Sequence, residues 1–300
     1  MYVVSGATGT TGSVVAKQLL THGQKVRVIG RTADRLQPLT ALGAEPFVAD
    51  ITDAGALARA FAEAQAVYVM LPPDVRSDDV LAHSELVSDV LASAIEKTRI
   101  KYAVALSSIG ADKTEKTGSV LALTHLEQKL RHITGLTVIC LRSGYFMENT
   151  LAQIGMIQMM GKAGGPLRGD LKLPMIATRD IGAFAADALL KMNFSGKQTL
   201  EVLGHRDLDM NEATAIIGKA IGKPDLQYVQ LPAETHAPGL MQMGMSGNMA
   251  DLLLEMSDSL NSGHMKAMER RSPENTTTTS FETFVADTLR PLYKGKSQAA

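Results

Sequence analysis

The chain has 300 residues, 45% of them hydrophobic, with a net charge of -1 and a pI near 6.7. That length fills one large domain or two modest ones. The even charge balance gives no footprint for nucleic acid or an anionic membrane surface, and no apolar run reaches membrane length.

The first twenty residues organise the rest. Tyr2, Val3 and Val4 form a short apolar run that reads as a buried strand opening the chain, which leaves no room for a signal peptide and points to a cytoplasmic protein. Gly6, Gly9 and Gly12 follow, and then Val14, Val15, Leu19 and Leu20 recur at helical spacing. A glycine-rich turn between strand and helix suits a dinucleotide, because the backbone can approach the pyrophosphate and the free N–H groups of the helix face its charge. The spacing is G-x-x-G-x-x-G, a departure from the standard G-x-G-x-x-G.

Lys25–Ile29 alternates as a second strand and ends at Gly30 and Arg31, with Arg35 one turn further on. An acidic residue there would hydrogen-bond the ribose of NAD, whereas an arginine pairs with the 2′-phosphate of NADP. The expectation is NADP(H) in preference to NAD(H), against a plain solvated arginine as the alternative. Ala44–Val48 makes a third strand. Asp50 and Ile51 at its end either flank the adenine or only close a turn, and Asp53 is expected to cap the next helix. Ala66–Leu71 is an apolar fourth strand stopped by Pro72 and Pro73, a rigid loop expected beside the cofactor. A helix from about Asp78 to Lys97, a strand Tyr102–Leu106, the Ser107-Ser108 turn, a helix Ser119–Ile133 and a strand Thr137–Leu141 complete the alternation. Cys140, the only cysteine, lies inside that last run and reads as a core residue, so no disulfide or Cys-based zinc site is available within one chain.

Strands alternating with helices through residue 142 predict a right-handed, doubly wound parallel sheet of Rossmann type. The expected division is a dinucleotide-binding domain over 1–150, its sheet completed by parts of 170–203, and a smaller α+β substrate or lid region over 151–300. Tyr145, Phe146, Glu148 and Asn149 cluster after a strand end as a pocket wall. In the second half, helices are expected over Asp180–Lys191 and Asn211–Gly222, with a strand at Thr199–Leu203. A methionine-rich stretch runs from Met241 to Met268, suited to a lid over an apolar ligand, although its regular part (Asp251–Leu260) reads as ordinary helix packing.

Together, Ser5-Gly-Ala-Thr-Gly-Thr-Thr-Gly12, Gly30-Arg31, the His125-Leu-Glu-Gln-Lys129 helix, Leu141-Arg-Ser-Gly-Tyr-Phe-Met-Glu-Asn149, Asp180-Ile-Gly182 and the tail Arg271-Ser-Pro-Glu-Asn-Thr276 resemble the NmrA-like family of atypical short-chain dehydrogenase relatives. Within it, the chain is most similar to the NADPH quinone oxidoreductase and azoreductase-like members. The resemblance implies cofactor contacts at Gly6, Thr8, Gly9, Thr10, Thr11, Gly12 and Arg31, with Asp50 near the adenine. It further implies Leu71, Pro72, Pro73 and Ser107 along the nicotinamide, and Tyr145, Phe146 and Asn149 at the substrate cleft.

Standard short-chain dehydrogenases use a Tyr-x-x-x-Lys pair, and the corresponding helix here has no tyrosine. His125 and Lys129 hold that spacing and are the candidate catalytic pair, with Tyr145, although Glu127 is the residue of this helix that best matches the family. Quinone reduction tolerates loss of the tyrosine, since hydride transfer to an electron-poor ring needs positioning above all. The function expected is therefore NADPH-dependent reduction of a small quinone-like acceptor, without metal or flavin. The alternatives are a non-catalytic NADP(H) sensor that signals through a protein partner, and a reductase or isomerase of aromatic compounds. Whether the chain forms a homodimer is left open.

Overall fold

The computed structural model describes residues 1–297. Its first half runs β1 (Tyr2–Val4), α1 (Thr10–Thr21), β2 (Val26–Gly30), α2 (Ala33–Thr40), β3 (Glu45–Val48), α3 (Ala54–Phe61), β4 (Ala66–Val69), α4 (Val80–Thr98), β5 (Tyr102–Ser108), α5 (Leu121–His132) and β6 (Thr137–Ser143). The second half adds β7 (Tyr145–Phe146), α6 (Gln153–Met160), β8 (Ala163–Gly165), β9 (Leu173–Ile176), α7 (Thr178–Lys191), β10 (Lys197–Val202) and β11 (Asp207–Leu208). It then continues through α8 (Met210–Ile221), β12 (Tyr228–Gln230), α9 (Ala233–Gln242) and α10 (Gly247–Asn261) to a closing helical stretch, α11 (Phe281–Phe284) and α12 (Arg290–Ser297).

Seven strands form one sheet in the order β10-β6-β5-β4-β1-β2-β3, and every pairing within it is parallel. The strand order reverses between β1 and β4. In open α/β sheets the crevice beyond the strand ends at such a reversal is where ligands bind. A parallel sheet is covered on both faces, and its strands are accordingly apolar on both. Tyr2 and Val4 pack one way with Leu19 of α1, Leu36 of α2 and Ile181 and Leu189 of α7. Val3 packs the other way with Leu57 of α3, Leu91 of α4 and Leu126 and Leu130 of α5. Fully burying one such leucine contributes about 1.5–3 kcal/mol, and this double layer fixes where the strand ends point. Cys140 is fully buried in the second of these clusters.

The helices start where their caps dictate. The Asp53 carboxylate accepts from Ala56 N at 2.9 Å, as expected, and Asp79 caps α4 in the same way through Ala82 N. Ser280 accepts from Thr283 N at 3.1 Å and starts the closing helical stretch.

The second half does more than append to the sheet. β10 pairs with β6 at its edge, and α7 packs on α1. A third core gathers Met147, Ile154, Met175, Leu208, Ile217, Phe281 and Phe284 around two small sheets, β11-β9-β7 and β12-β8. These short strands carry too few residues for a two-residue alternation to appear in the sequence. Among the described residues no helix is long and apolar enough to cross a membrane.

Candidate functional site

The glycine loop folds tightly over the end of β1. Gly6 has φ +61, and its carbonyl accepts from Gly9 N at 2.9 Å. A Cβ on Gly12 would lie 2.4 Å from that same carbonyl oxygen, so any side chain there would push the first turn of α1 off the loop. The result is a backbone cradle at a helix N-terminus, with no acidic residue in its first turn and N–H groups free for an anion. Thr8 packs against Gly30 at the end of β2, and Thr10 is exposed. Thr11 differs: it is buried, and its hydroxyl accepts a hydrogen bond from Tyr68 at 2.9 Å. It can face a phosphate only through its main chain.

Arg31 stands exposed at the end of β2 beside Asp50. The Asp50 carboxylate is turned back on its own loop, accepting from Thr52 N at 2.9 Å and Thr52 Oγ1 at 2.7 Å. These bonds, then the nearby Arg31 guanidinium, hold its pKa below the usual carboxylate value, while its slight burial raises it. Ile51 packs onto the sheet core. Of the two expected roles, the carboxylate fits closing the turn.

Next to the loop, at the carboxyl ends of β4, β5 and β6, lies a cleft of about 580 Å³. Met70, Leu71 and Pro73 line one side, Ser107, Ser108 and Ser143 the strand ends, and Tyr145, Phe146 and Asn149 another side. Pro72 is not among the lining residues. α10 closes it with Met249, Met256 and Leu260, and the following segment adds Met265. Ser246 N donates to the Val75 carbonyl at 2.8 Å, and Val80 N to Asn248 Oδ1 at 2.9 Å. These two bonds dock the start of α10 onto the loop after β4, over a small apolar cluster of Val80, Met249 and Leu252. Of the methionine-rich stretch, Met249, Met256 and Met265 thus face the cleft, whereas Met241, Met243 and Met268 are exposed.

Tyr145 opens partly to the cleft. Burial pushes its hydroxyl up to about 12, and a side-chain hydrogen bond with Asn149 only partly offsets this. It is a neutral phenol at any physiological pH, a hydrogen-bond donor that keeps its proton. Glu148 takes no part in the cleft. Its carboxylate receives Thr178 N at 3.0 Å and Thr178 Oγ1 at 2.6 Å, capping α7.

His125 and Lys129, the expected catalytic pair, share one face of α5, and that face lies away from the cleft. They line a shallow groove between α4 and α5 with Glu85, Asp89, Glu96 and His132. Lys129 is paired with Asp89, and Glu85 lies 3.8 Å away. The helix instead turns Glu127 inward toward the cleft. Glu127 is 3% exposed. Its carboxylate accepts Ser107 Oγ at 2.6 Å and both arms of the Arg142 fork, at 2.9 and 2.8 Å. In the sequence Glu127 stands out only as the residue of α5 that matches the family, with no role attached. The signal available was Arg142, a lone charge closing the apolar run of β6, which requires a buried partner.

Comparison with known proteins agrees with this architecture. The chain is 28% identical over 256 residues to the NAD(P)H azoreductase of Xenophilus azovorans, covering 85% of this chain and 86% of that protein. The fold matches the NADPH-dependent quinone oxidoreductase QOR2 of Escherichia coli, solved with NADPH, at a TM-score of 0.80 and 23% identity, over 95% of this chain and 99% of that one. It also matches the Citrobacter sp. triphenylmethane reductase complexed with NADP(H), at a TM-score of 0.76 and 17% identity over 100% of both chains. With the model of the NmrA-like family matching residues 2–288, the chain belongs to the NmrA-like family.

Proposed function

We propose that the protein is an NADPH-dependent reductase of a small, flat, electron-poor acceptor, a quinone or an azo compound. The observation that carries this reading is the nearness of two unlike surfaces: a backbone cradle for anions at the α1 N-terminus, and a cleft walled mostly by apolar side chains, with Met70 lining the cleft and lying against Gly6. The relatives named for NAD(P)H-dependent azo and quinone reduction add weight to it.

The residues present fit the nucleotide. The cradle exists only because residue 12 lacks a Cβ, and the N–H groups of Thr10, Thr11 and Gly12 would hold the pyrophosphate. Arg31 would take the 2′-phosphate, since a guanidinium forks onto phosphate oxygens. Leu71 and Pro73 would back the nicotinamide, Phe146 the acceptor ring. Bound there, NADPH supplies the hydride. Tyr145 and Asn149 would present neutral donors to the acceptor oxygen or nitrogen on which negative charge develops, in a cleft narrowed by Met249, Met256 and Met265, and the proton that completes the reduction would come from water. The carboxyl ends of β4, β5 and β6 hold these groups on a rigid sheet edge, so most of the rate enhancement comes from positioning.

The test is steady-state loss of NADPH absorbance with a benzoquinone and, in parallel, a simple azo dye, each paired with NADH. Saturable turnover favouring NADPH is expected. Tight NADPH binding without turnover of either acceptor would overturn the reductase reading in favour of a redox sensor.

A further inference from the structure

The floor of the cleft forms where β5 and β6 end side by side, with Ser107 registered against Arg142 and Ser108 against Ser143. All three serines spend their protons inside the protein. Ser107 Oγ donates to Glu127 Oε1 at 2.6 Å, Ser143 Oγ to the Ser107 carbonyl at 2.9 Å, and Ser108 Oγ to the Ile109 carbonyl at 3.0 Å. The first bond is the firmest. Its acceptor is a buried carboxylate gripped by the Arg142 fork, with Arg131 Nη2 a further 3.8 Å away. The Glu127 bond holds the Arg142 guanidinium above its ordinary pKa. A carboxylate held this way only accepts, and it therefore fixes the direction of the one O–H that Ser107 owns.

A hydroxyl whose proton is committed offers a ligand only lone pairs. We propose that Ser107 binds the nicotinamide by accepting a hydrogen bond from its carboxamide NH2, and that Glu127 and Arg142 are the positioning pair that sets this polarity. The inference rests on the reading of the cleft as an NADPH site. Neither a simple quinone nor an azo bond carries an N–H to offer, and of the donors the nucleotide brings, the carboxamide NH2 is the one on the ring that Leu71 and Pro73 would back beside Ser107. The same polarity removes Ser107 as a donor to an acceptor carbonyl and leaves that task to Tyr145 and Asn149. Glu127 thus acts on the reaction from behind the floor, through the orientation of a single proton.

The experiment compares NADP+ with its 3-acetylpyridine analogue, in which a methyl group replaces the carboxamide NH2, by titration calorimetry without any acceptor. Wild-type protein is expected to bind NADP+ roughly fivefold more tightly, the worth of one ordinary hydrogen bond. Ser107→Ala should bring the two affinities together. Glu127→Gln, which frees the Ser107 proton to turn outward, should shrink the preference while the serine remains. Equal binding of both nucleotides by the wild type overturns the proposal, and so does a preference that survives Ser107→Ala. A merely structural role would weaken both nucleotides in parallel and leave their ratio unchanged, which also overturns it. Binding of neither nucleotide would instead bring down the NADPH reading beneath it.

Discussion

Tyr68, in the middle of β4, donates its hydroxyl hydrogen to Thr11 Oγ1 at 2.9 Å, both residues being buried. The bond ties the first turn of α1 to the central strand on the far side of the sheet reversal. It also makes the Thr11 side chain part of the core, although the residue sits within the glycine loop. Thr11→Val leaves the Tyr68 hydroxyl buried and unpaired, at a cost of about 1–3 kcal/mol. NADPH affinity should change less than about twofold, since the main-chain N–H remains. Urea denaturation and nucleotide titration separate the two effects; a large loss of affinity at unchanged stability would place the side chain in the site instead.

The same burial predicts alkaline sensitivity. Burial raises the Tyr68 pKa well above its ordinary 10.0, the Thr11 bond offsetting only part of this, and pushes Cys140 from 9.0 up to about 12. In the unfolded chain both groups lose their protons near their ordinary values. Above those values the unfolded state binds fewer protons than the native one, so stability falls as pH rises. The stability is fully present below about pH 9 and declines above it, first through Cys140 and then through Tyr68, by roughly 1.4 kcal/mol per pH unit for each group in its window. Urea midpoints measured from pH 8 to 11 should drop accordingly. A flat midpoint over that range would count against burial of these protons.

The proposed preference for NADPH over NADH turns on Arg31. It is exposed at the end of β2, and the neighbouring Asp50 carboxylate is already engaged by Thr52. Arg31→Ala should weaken NADPH binding roughly tenfold to hundredfold, the range for a charge-assisted bond, and change NADH binding little. Equal loss for both nucleotides would remove the 2′-phosphate from its role.

His125 and Lys129 serve as a negative control drawn from the fold. Both lie in the groove between α4 and α5, and Lys129 is already paired with Asp89. His125→Ala and Lys129→Ala should leave kcat/KM within about twofold, and loss of the partly exposed Lys129 pair should cost under about 1 kcal/mol. A hundredfold fall in kcat from either would mean that α5 meets the substrate by a face other than the one described.

What could be read from the sequence follows from the range of the interactions involved. The glycine loop, the β2 end at Gly30, the Asp53 cap and the alternation of apolar runs are local, and the structure places them as the residues predict. The placement of His125 and Lys129 away from the cleft has a physical cause. A Tyr-x-x-x-Lys spacing says which residues share a helical face, not which way that face points. The decision lies with Leu126 and Leu130, which pack on the sheet, and with Glu127, which meets Arg142 from β6 and Ser107 from β5. Those partners are 15 and 20 residues away in the chain, and no periodicity reports them. The short strand at Tyr145–Phe146 was hidden for a related reason: it exists because β9, some thirty residues later, pairs Met175 with Tyr145.

Tyr145 gives the sharpest test of the chemistry. Burial pushes its hydroxyl up to about 12, so over the working range it is a donor that never ionises. Tyr145→Phe should lower kcat with a quinone by about tenfold to hundredfold, the worth of a hydrogen bond to developing negative charge, while NADPH affinity holds. The sign of the pH effect follows from the direction of the shift. The proton is present in the folded protein below about pH 12, so the wild-type rate should show no fall from loss of this proton between pH 6 and 9.5. A descending limb inside that window that disappears in Tyr145→Phe would mean the phenol titrates there, and the assignment of a neutral donor would be wrong. A wild-type rate unaffected by Tyr145→Phe at every pH would leave Asn149, also on the cleft wall, as the group that meets the acceptor.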